Sequence, residues 1–133
     1  MEPNREPEPD DGRNVHGHEI NGLNDALTIR CDAPGAGNAS HTYVTIWRQP
    51  NGIEIGDQTI KFQEGPINEN GVNGTSNEAL LAIVRHRLQG FQSGPYACRE
   101  NALALTKIEE ALHWLHHRTR ERVVRGVEGT SVV

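Results

Sequence analysis

The fold is decided by residues 75–125, which read TSNEALLAIVRHRLQGFQSGPYACRENALALTKIEEALHWLHHRTRERVVR. Apolar residues recur at helical spacing on both sides of the break SGP at 93–95. They are Leu80, Leu81, Ile83, Val84, Leu88 and Phe91 before the break, and Leu105, Ile108, Ala111, Leu112 and Leu115 after it. The pattern predicts a helix that ends at Gln92 and a second helix from about Ala97 to about Val124. The short connection predicts an antiparallel hairpin, in which the second helix, roughly 42 Å long against about 24 Å, projects beyond the first.

The first helix has a start signal in its sequence. The string TSNE at 75–78 fits a capping box, with Thr75 at the N-cap and Glu78 at the third helical position. Ahead of it, the loop 65–74 is rich in Gly and Asn, which favours turns. We therefore expect the hairpin, together with the C-terminal segment that follows it, to occupy residues 75–133.

Three β-type segments precede the hairpin, at 27–31, 41–47 and 58–63. Their β-branched and aromatic residues, separated by Gly and Pro turns, predict a small antiparallel meander over residues 23–74. Such a sheet needs a helix to cover one face. Residues 1–22 lack apolar periodicity and carry six acids and two bases, so we expect a disordered acidic tail. The predicted fold class is α+β.

Composition excludes several classes of protein. The chain has 133 residues and a net charge of −5, of which the tail carries −4, so the remainder is nearly neutral. A generally basic nucleic-acid binder is therefore disfavoured, and we expect no DNA partner. No apolar run is long enough for a membrane span, and the polar N-terminus predicts no signal peptide. With 35 % hydrophobic residues the core must be thin, which favours burial through oligomerisation. The chain reads as a soluble, intracellular protein.

Arginines concentrate at the end of the second predicted helix. Arg118, Arg122 and Arg125 share one helix face, while Arg120 points away. Three guanidinium groups together fit a phosphate or diphosphate clamp. The alternative is a solvated basic last turn that complements the helix dipole.

The remaining candidates for chemistry are weaker. His113, His116 and His117 have helical spacing for a metal, but no flanking carboxylate appears at catalytic spacing, so surface or partner-contact histidines are the better interpretation and no metal is expected. Cys98 beside Arg99 has the setting of a reactive thiol, yet its small apolar neighbours favour a packed one. No nucleophile with a base and no cofactor motif is visible, which opposes an enzyme.

Phe91 and Asn101 flank the turn between the two predicted helices. An aromatic ring beside an amide can stack on a nucleobase and hydrogen-bond to it. The alternative for Phe91 is ordinary core packing against Leu105.

Several strings of this sequence resemble a known family. They are IKFQEGPI at 60–67, GVNG at 71–74, NE at 77–78, LQGFQ at 88–92 and RTRERVVRGVEGT at 118–130. Together they resemble the phage Thoeris anti-defence proteins of the first type, a family that shares its helical hairpin with the phage anti-CBASS nucleotide sponges. The resemblance covers roughly residues 41–130, and the closing string at 118–130 is its most specific part.

The resemblance implies a sponge that binds cyclic ADP-ribose isomers (gcADPR), the signals of Thoeris immunity, and does not degrade them. Some members also bind cyclic di- or trinucleotides of CBASS at separate sites, and members form homodimers or homohexamers. Such a protein acts in the host bacterial cytoplasm and needs no cofactor. By motif position Phe91 and Asn101 would contact the adenine or ribose end, and Arg118 and Arg122 the diphosphate. Residues 75–133 would thus combine the helical hairpin with a C-terminal ligand-binding segment. The string NGT, Asn73, Gly74 and Thr75, is a weaker candidate.

The spacing of the candidate residues restricts how a ligand can be held. Asn101 and Arg118 are 17 residues apart, about 25 Å along one helix. A nucleotide-sized ligand cannot bridge that distance within one copy. If both residues touch one ligand, two antiparallel copies must share the pocket.

Two other functions are alternatives to a sponge. One is a hydrolase of the same signal, which the missing nucleophile opposes, and the other is a structural or DNA-associated phage protein.

Overall fold

The computed structural model describes residues 12–133, an α+β chain as the sequence predicts. Two compact units divide between Glu64 and Gly65, whereas the sequence places this boundary after residue 74. The segment 65–74 therefore groups with the hairpin. One hydrogen bond connects this segment to the end of the second unit: the backbone N–H of Asn68 donates to the carbonyl of Gly129 at 3.0 Å.

The first unit is a four-stranded antiparallel sheet whose strands lie side by side in chain order. The strands are β1 Asn14–Val15, β2 Leu27–Cys31, β3 Thr42–Arg48 and β4 Glu54–Lys61. Ile29 pairs with Thr45, which in turn pairs with Gln58 across β4. The predicted meander is confirmed, and β2 has the predicted bounds. β4 begins at Glu54 instead of residue 58 because its register with β3 continues to Arg48 across a bulge.

β1 lies inside the segment 1–22, for which the sequence predicts no ordered structure. Its residue Asn14 pairs with Arg30, whose Nη1 donates to the Asn14 side-chain oxygen at 3.1 Å. A two-residue strand is too short to show an apolar period, so this pairing could not be predicted. A short helix, α1 Gly22–Asp25, follows β1 and is capped by the Asn21 side chain. Residues 1–11 of the predicted tail lie outside the described residues.

Trp47 and Gly56 form a close cross-strand pair in this sheet. They are opposite each other in the β3–β4 register. A Cβ atom on Gly56 would lie 2.8 Å from the indole Nε1 and 2.9 Å from Cε2. The indole ring therefore occupies the space that any other side chain at position 56 would need.

Replacing Gly56 with alanine is expected to lower the free energy of unfolding by about 1–3 kcal/mol, because the Trp47 ring must leave its position. Urea unfolding followed by circular dichroism measures this change. Gly90→Ala is the matched control: nothing lies within 4 Å of a Cβ there. Since it removes a glycine from a helix, it should stabilise the protein by about 0.5–1 kcal/mol. Equal destabilisation by both changes would contradict the packing of Trp47 on Gly56.

The second unit contains the short helix α2 Ile67–Asn70 and two long helices, α3 Asn77–Gln92 and α4 Arg99–Arg125. The predicted hairpin is confirmed, and α3 ends at Gln92 as predicted. The predicted cap at Thr75 is wrong by one residue. Ser76 is the N-cap of α3, and its hydroxyl oxygen accepts a hydrogen bond from the Ala79 amide at 3.1 Å. The helix ends of α4 are a Cys98 N-cap and a left-handed Gly126 with φ +74°.

The core of the hairpin is thin, as the composition predicts. Leu112 is the one buried apolar side chain among residues 12–133, with 3 % exposed. Leu105, Ile108 and Leu115 of the same predicted stripe are half-buried. Ile83 and Val84 of α3 are exposed. No helix in the described part of the chain is long and apolar enough to cross a membrane.

Candidate functional site

The turn of the hairpin carries the predicted base-binding pair. Phe91 lies in the last turn of α3 and Asn101 in the first turn of α4, with Phe91 37 % exposed. The Gln92 side chain closes the turn between them. Its Oε1 accepts from the Cys98 amide at 3.0 Å, and its Nε2 donates to the Cys98 carbonyl at 3.1 Å. These two hydrogen bonds connect the end of α3, which carries Phe91, to the start of α4, which carries Asn101.

Arg87 is a neighbour of Phe91 that sequence reasoning missed. Its guanidinium carbon lies 5.1 Å from the centre of the Phe91 ring, which is cation–π geometry. The spacing of four residues on one helix is the signal that could have revealed it. The contact places a positive charge beside the ring at the turn.

Cys98 has a structural role at the same turn. Its Sγ accepts a hydrogen bond from the Asn101 amide at 3.4 Å and caps α4. The interpretation of Cys98 as a packed thiol is wrong, since the residue is exposed. As the N-cap, Cys98 lies just before the first residue of α4.

The other end of the hairpin carries the remaining predicted residues. Arg118 is exposed on α4, and its side chain makes no hydrogen bond or ion pair with any residue in the range 12–133. Asn73, Gly74 and Thr75 precede the start of α3, and Gly74 and Thr75 are half-buried. Because α3 and α4 run antiparallel, this string and Arg118 belong to the same end of the hairpin.

Arg122 differs from Arg118, although it lies one helical turn further on the same face. Its side chain is 10 % exposed and makes four hydrogen bonds within the chain. Nε donates to the Glu128 carboxylate at 3.1 Å, and Nη1 to the Val132 carbonyl at 2.6 Å. Nη2 donates to the carbonyls of Val127 and Thr130 at 3.0 and 3.1 Å. The C-terminal segment 127–132 therefore wraps around this guanidinium group.

The third arginine of the predicted clamp also contacts the end of the chain. Nη2 of Arg125 donates to the Val133 carbonyl at 2.7 Å, while Arg120, on another face of α4, is exposed. The structure therefore gives the three arginines of one face unlike surroundings. Arg118 points its charge to solvent, whereas Arg122 and Arg125 bind backbone oxygens.

The two groups of candidate residues lie apart within one copy. Asn101 and Arg118 belong to one uninterrupted helix, so the 17 residues between them correspond to about 25 Å. Phe91 and Asn101 lie in the two helix turns that flank the connection between α3 and α4, whereas Arg118 and the 73–75 string lie toward the opposite end of the hairpin. The structure does not bring these two groups together.

The histidines of α4 surround an exposed tryptophan. The Trp114 ring, 66 % exposed, meets His113 and His117 edge-on at 5.5 and 5.9 Å. Among residues 12–133, no group of three His, Cys, Asp or Glu residues is placed to hold a metal ion. The arrangement fits the sequence-based interpretation of surface or partner-contact histidines.

Two carboxyl groups of the first unit have lowered pKa values. A hydrogen bond from the His16 ring, at 3.0 Å, lowers the pKa of Glu19. Backbone amides of Thr42 and His41 do the same for the pKa of Asp32. Groups of this kind stabilise the fold above their unfolded pKa near 4, and the contribution disappears as the pH falls through the lowered value. Both groups belong to the first unit, whereas the candidate residues belong to the second.

Comparison with known proteins identifies the hairpin. The chain matches the family described as "Acb2/Tad1, hairpin domain" over residues 54–120, half of its length. The match includes Phe91, Asn101 and Arg118, and it leaves out Arg122 and the segment wrapped around it. The chain is also 60 % identical over 72 residues to a protein of Bacillus phage SBSphiJ7 named "Thoeris anti-defense 1". That similarity covers 54 % of this chain and 51 % of the relative, so the chain spans about half the length of the relative it matches. The match runs from β4 through α3 and most of α4, which form a hairpin as the domain's name describes. Since it covers half of the chain, it shows that the chain belongs to the Acb2/Tad1 hairpin-domain family.

Proposed function

We propose that this protein counters Thoeris defence by binding cyclic ADP-ribose isomers (gcADPR) and sequestering them intact in the host bacterial cytoplasm. The family membership and the name of the phage relative support the defence system. The observation that carries the ligand class is the distribution of side chains along the hairpin. Phe91 of α3 and Asn101 of α4 flank its turn, and the exposed Arg118 lies toward its other end, which fits a ligand with a base and a diphosphate.

In this proposal each pocket belongs to two copies of the chain. Phe91 and Asn101 of one copy contact the adenine or ribose end, and Arg118 of another contacts the diphosphate. Two antiparallel α4 helices would bring these residues together, since one copy holds them about 25 Å apart. The 73–75 string is a further candidate for contacting the ligand. Arg122, which the sequence assigns to the same diphosphate, has intrachain partners that favour a different role, argued below.

Exposed apolar side chains on the hairpin support the assembly. They are Ile83, Val84, Leu103, Trp114, Val123 and Val124, each at least 45 % exposed. A second copy would bury this surface and complete the thin core. The proposal accordingly includes a homodimer or a homohexamer.

We expect light scattering at micromolar protein concentration to show at least a dimer. The double change Leu103→Asp and Trp114→Asp should shift the protein toward the monomer, because it places carboxylates in the buried surface. The exposed Tyr96→Asp, at the turn, is the control and should leave the assembly unchanged. A wild-type monomer would refute both the assembly and the shared pocket.

The main alternative to sequestration is hydrolysis of the signal, and one experiment distinguishes the two. The purified protein is incubated with a gcADPR signal, heated, and the released nucleotide is identified by mass spectrometry. Sequestration returns the ligand unchanged, whereas a hydrolase returns an opened product. The same experiment with cyclic di- and trinucleotides tests a second, separate site of the CBASS type.

Three changes at the candidate chemical residues should leave protection against the signal intact. They are Cys98→Ser, His113→Ala and His116→Ala, and the expected ligand affinity stays within about threefold because no bond is made or broken. Inhibition of a signal-activated effector in vitro measures protection. Loss of protection by one of these variants, in a protein that remains folded, would support the enzyme.

A DNA-associated role is the remaining alternative. The near-neutral balance of charge outside residues 1–22 opposes it. A DNA binder that contacts several phosphates would lose affinity steeply as salt rises. We expect no salt-dependent DNA binding in an electrophoretic mobility assay.

A further inference from the structure

Arg122 is the one buried charged residue in the described part of the chain. A guanidinium group has five N–H donors, and the four hydrogen bonds of Arg122 use all of them except one on Nη1. A buried cation is stable only when its donors and its charge are satisfied, and here three carbonyls and the Glu128 carboxylate do this. A phosphate could bind Arg122 directly only if some of these bonds were broken.

The segment held by Arg122 reaches a second part of the unit. Gly129, within the segment, accepts the hydrogen bond from the Asn68 amide of α2 at 3.0 Å. The contact is close, since a Cβ atom on Gly129 would lie 2.9 Å from the Asn68 side-chain oxygen, and φ is +80°. The 73–75 string follows α2 within a few residues. Contacts thus run from Arg122 through 127–132 to α2, and the chain itself joins α2 to the 73–75 string.

We propose that Arg122 is a positioning residue, which holds the segment 127–132 and, through it, α2 and the 73–75 string beside Arg118. It promotes ligand binding by fixing these groups before the ligand arrives, and not by touching the diphosphate. The inference rests on the proposed function only for the identity of the ligand. The positioning itself is a property of the free protein.

Hydrogen exchange of the ligand-free protein tests the positioning. Glu128→Gln removes the ion pair, and Arg122→Lys removes the planar fork while keeping the charge. Both should raise the exchange rate of the Asn68 amide by about tenfold or more, because the segment that carries the Gly129 carbonyl opens more often. Arg118→Ala should leave that amide unchanged. Unaltered exchange at Asn68 in both test variants would overturn the proposal.

The effect of Glu128→Gln on ligand affinity distinguishes a positioning role of Arg122 from direct contact, because the two roles predict changes in opposite directions. If Arg122 touched the diphosphate, Glu128→Gln would free its guanidinium and tighten binding of the anion. If Arg122 positions the segment, the same change weakens binding of a cyclic ADP-ribose isomer, by about threefold or more, in isothermal titration. Glu121→Gln is the matched control, since Glu121 is exposed on α4 and its loss changes the net charge equally. Tighter binding by Glu128→Gln than by Glu121→Gln would overturn the proposal.

A further variant, Gly129→Ala, tests the contact between Gly129 and Asn68 without changing Arg122. Gly129→Ala leaves every Arg122 partner in place but strains the backbone and crowds Asn68. It should weaken ligand binding and raise exchange at Asn68, and normal affinity together with normal exchange would contradict the proposal. Thermal unfolding identifies any variant that is merely unfolded at the assay temperature. If the wild-type protein binds no cyclic ADP-ribose isomer, the proposed function fails, and the exchange experiment still decides the role of Arg122.

Discussion

Replacing Arg118 with alanine is expected to weaken binding of a cyclic ADP-ribose isomer by about two orders of magnitude, as measured by isothermal titration. Arg118 is exposed and its side chain makes no hydrogen bond or ion pair with residues 12–133, so its charge is available to a diphosphate at no cost to the fold. A charge-assisted hydrogen bond contributes roughly 1.5–3 kcal/mol, and a bidentate contact lies at the upper end. About 3 kcal/mol corresponds to the expected loss of affinity.

Arg120→Ala is the matched control for this loss. Arg120 is also an exposed arginine of α4, but it lies on another face of the helix. Its removal changes the net charge equally and should alter affinity by less than about threefold. Arg118→Lys should restore only part of the affinity, because a point charge lacks the planar fork. Equal losses from Arg118→Ala and Arg120→Ala would indicate a diffuse basic surface.

Mixing two defective proteins is expected to restore high-affinity sites. Asn101→Ala and Arg118→Ala each damage every pocket of their own assemblies. In a mixed antiparallel dimer, one pocket receives both changes and the other receives neither. After random exchange of subunits, roughly a quarter of all pockets should bind as in the wild type, if each pocket takes Asn101 and Arg118 from different copies.

Titration of the mixture, compared with each parent protein, measures these recovered pockets. Exchange of subunits is verified by mass spectrometry of assemblies in which one parent is isotope-labelled. Asn101→Ala mixed with itself after the same treatment is the control, and it should show no recovery. Absence of high-affinity sites in a mixture with verified exchange would place each pocket within one copy.

The sequence by itself determined the elements whose signals are local. Helix α3 ends at Gln92 because Ser93, Gly94 and Pro95 interrupt an apolar period of 3.6, and β2 has its predicted bounds because its residues alternate between turn signals. The sequence predicts the cap of α3 at Thr75, one residue before the observed Ser76, because both residue types are good N-caps. Only the backbone geometry of the folded chain chooses between neighbours of this kind.

The candidate site divides in the same way. The Arg-rich pattern at the end of α4 predicted a positively charged helix face, and the spacing of Asn101 and Arg118 on one helix is confirmed. Only the tertiary structure showed that Arg118 is exposed and Arg122 buried, although both lie on the predicted face. The reason is that Arg122 binds mainly backbone carbonyls of 127–132. Because every residue has a backbone carbonyl, the pattern of side chains in the sequence does not reveal these contacts. The contact of Gly129 with Asn68 depends likewise on a chain reversal after Gly126, which joins residues that are distant in sequence.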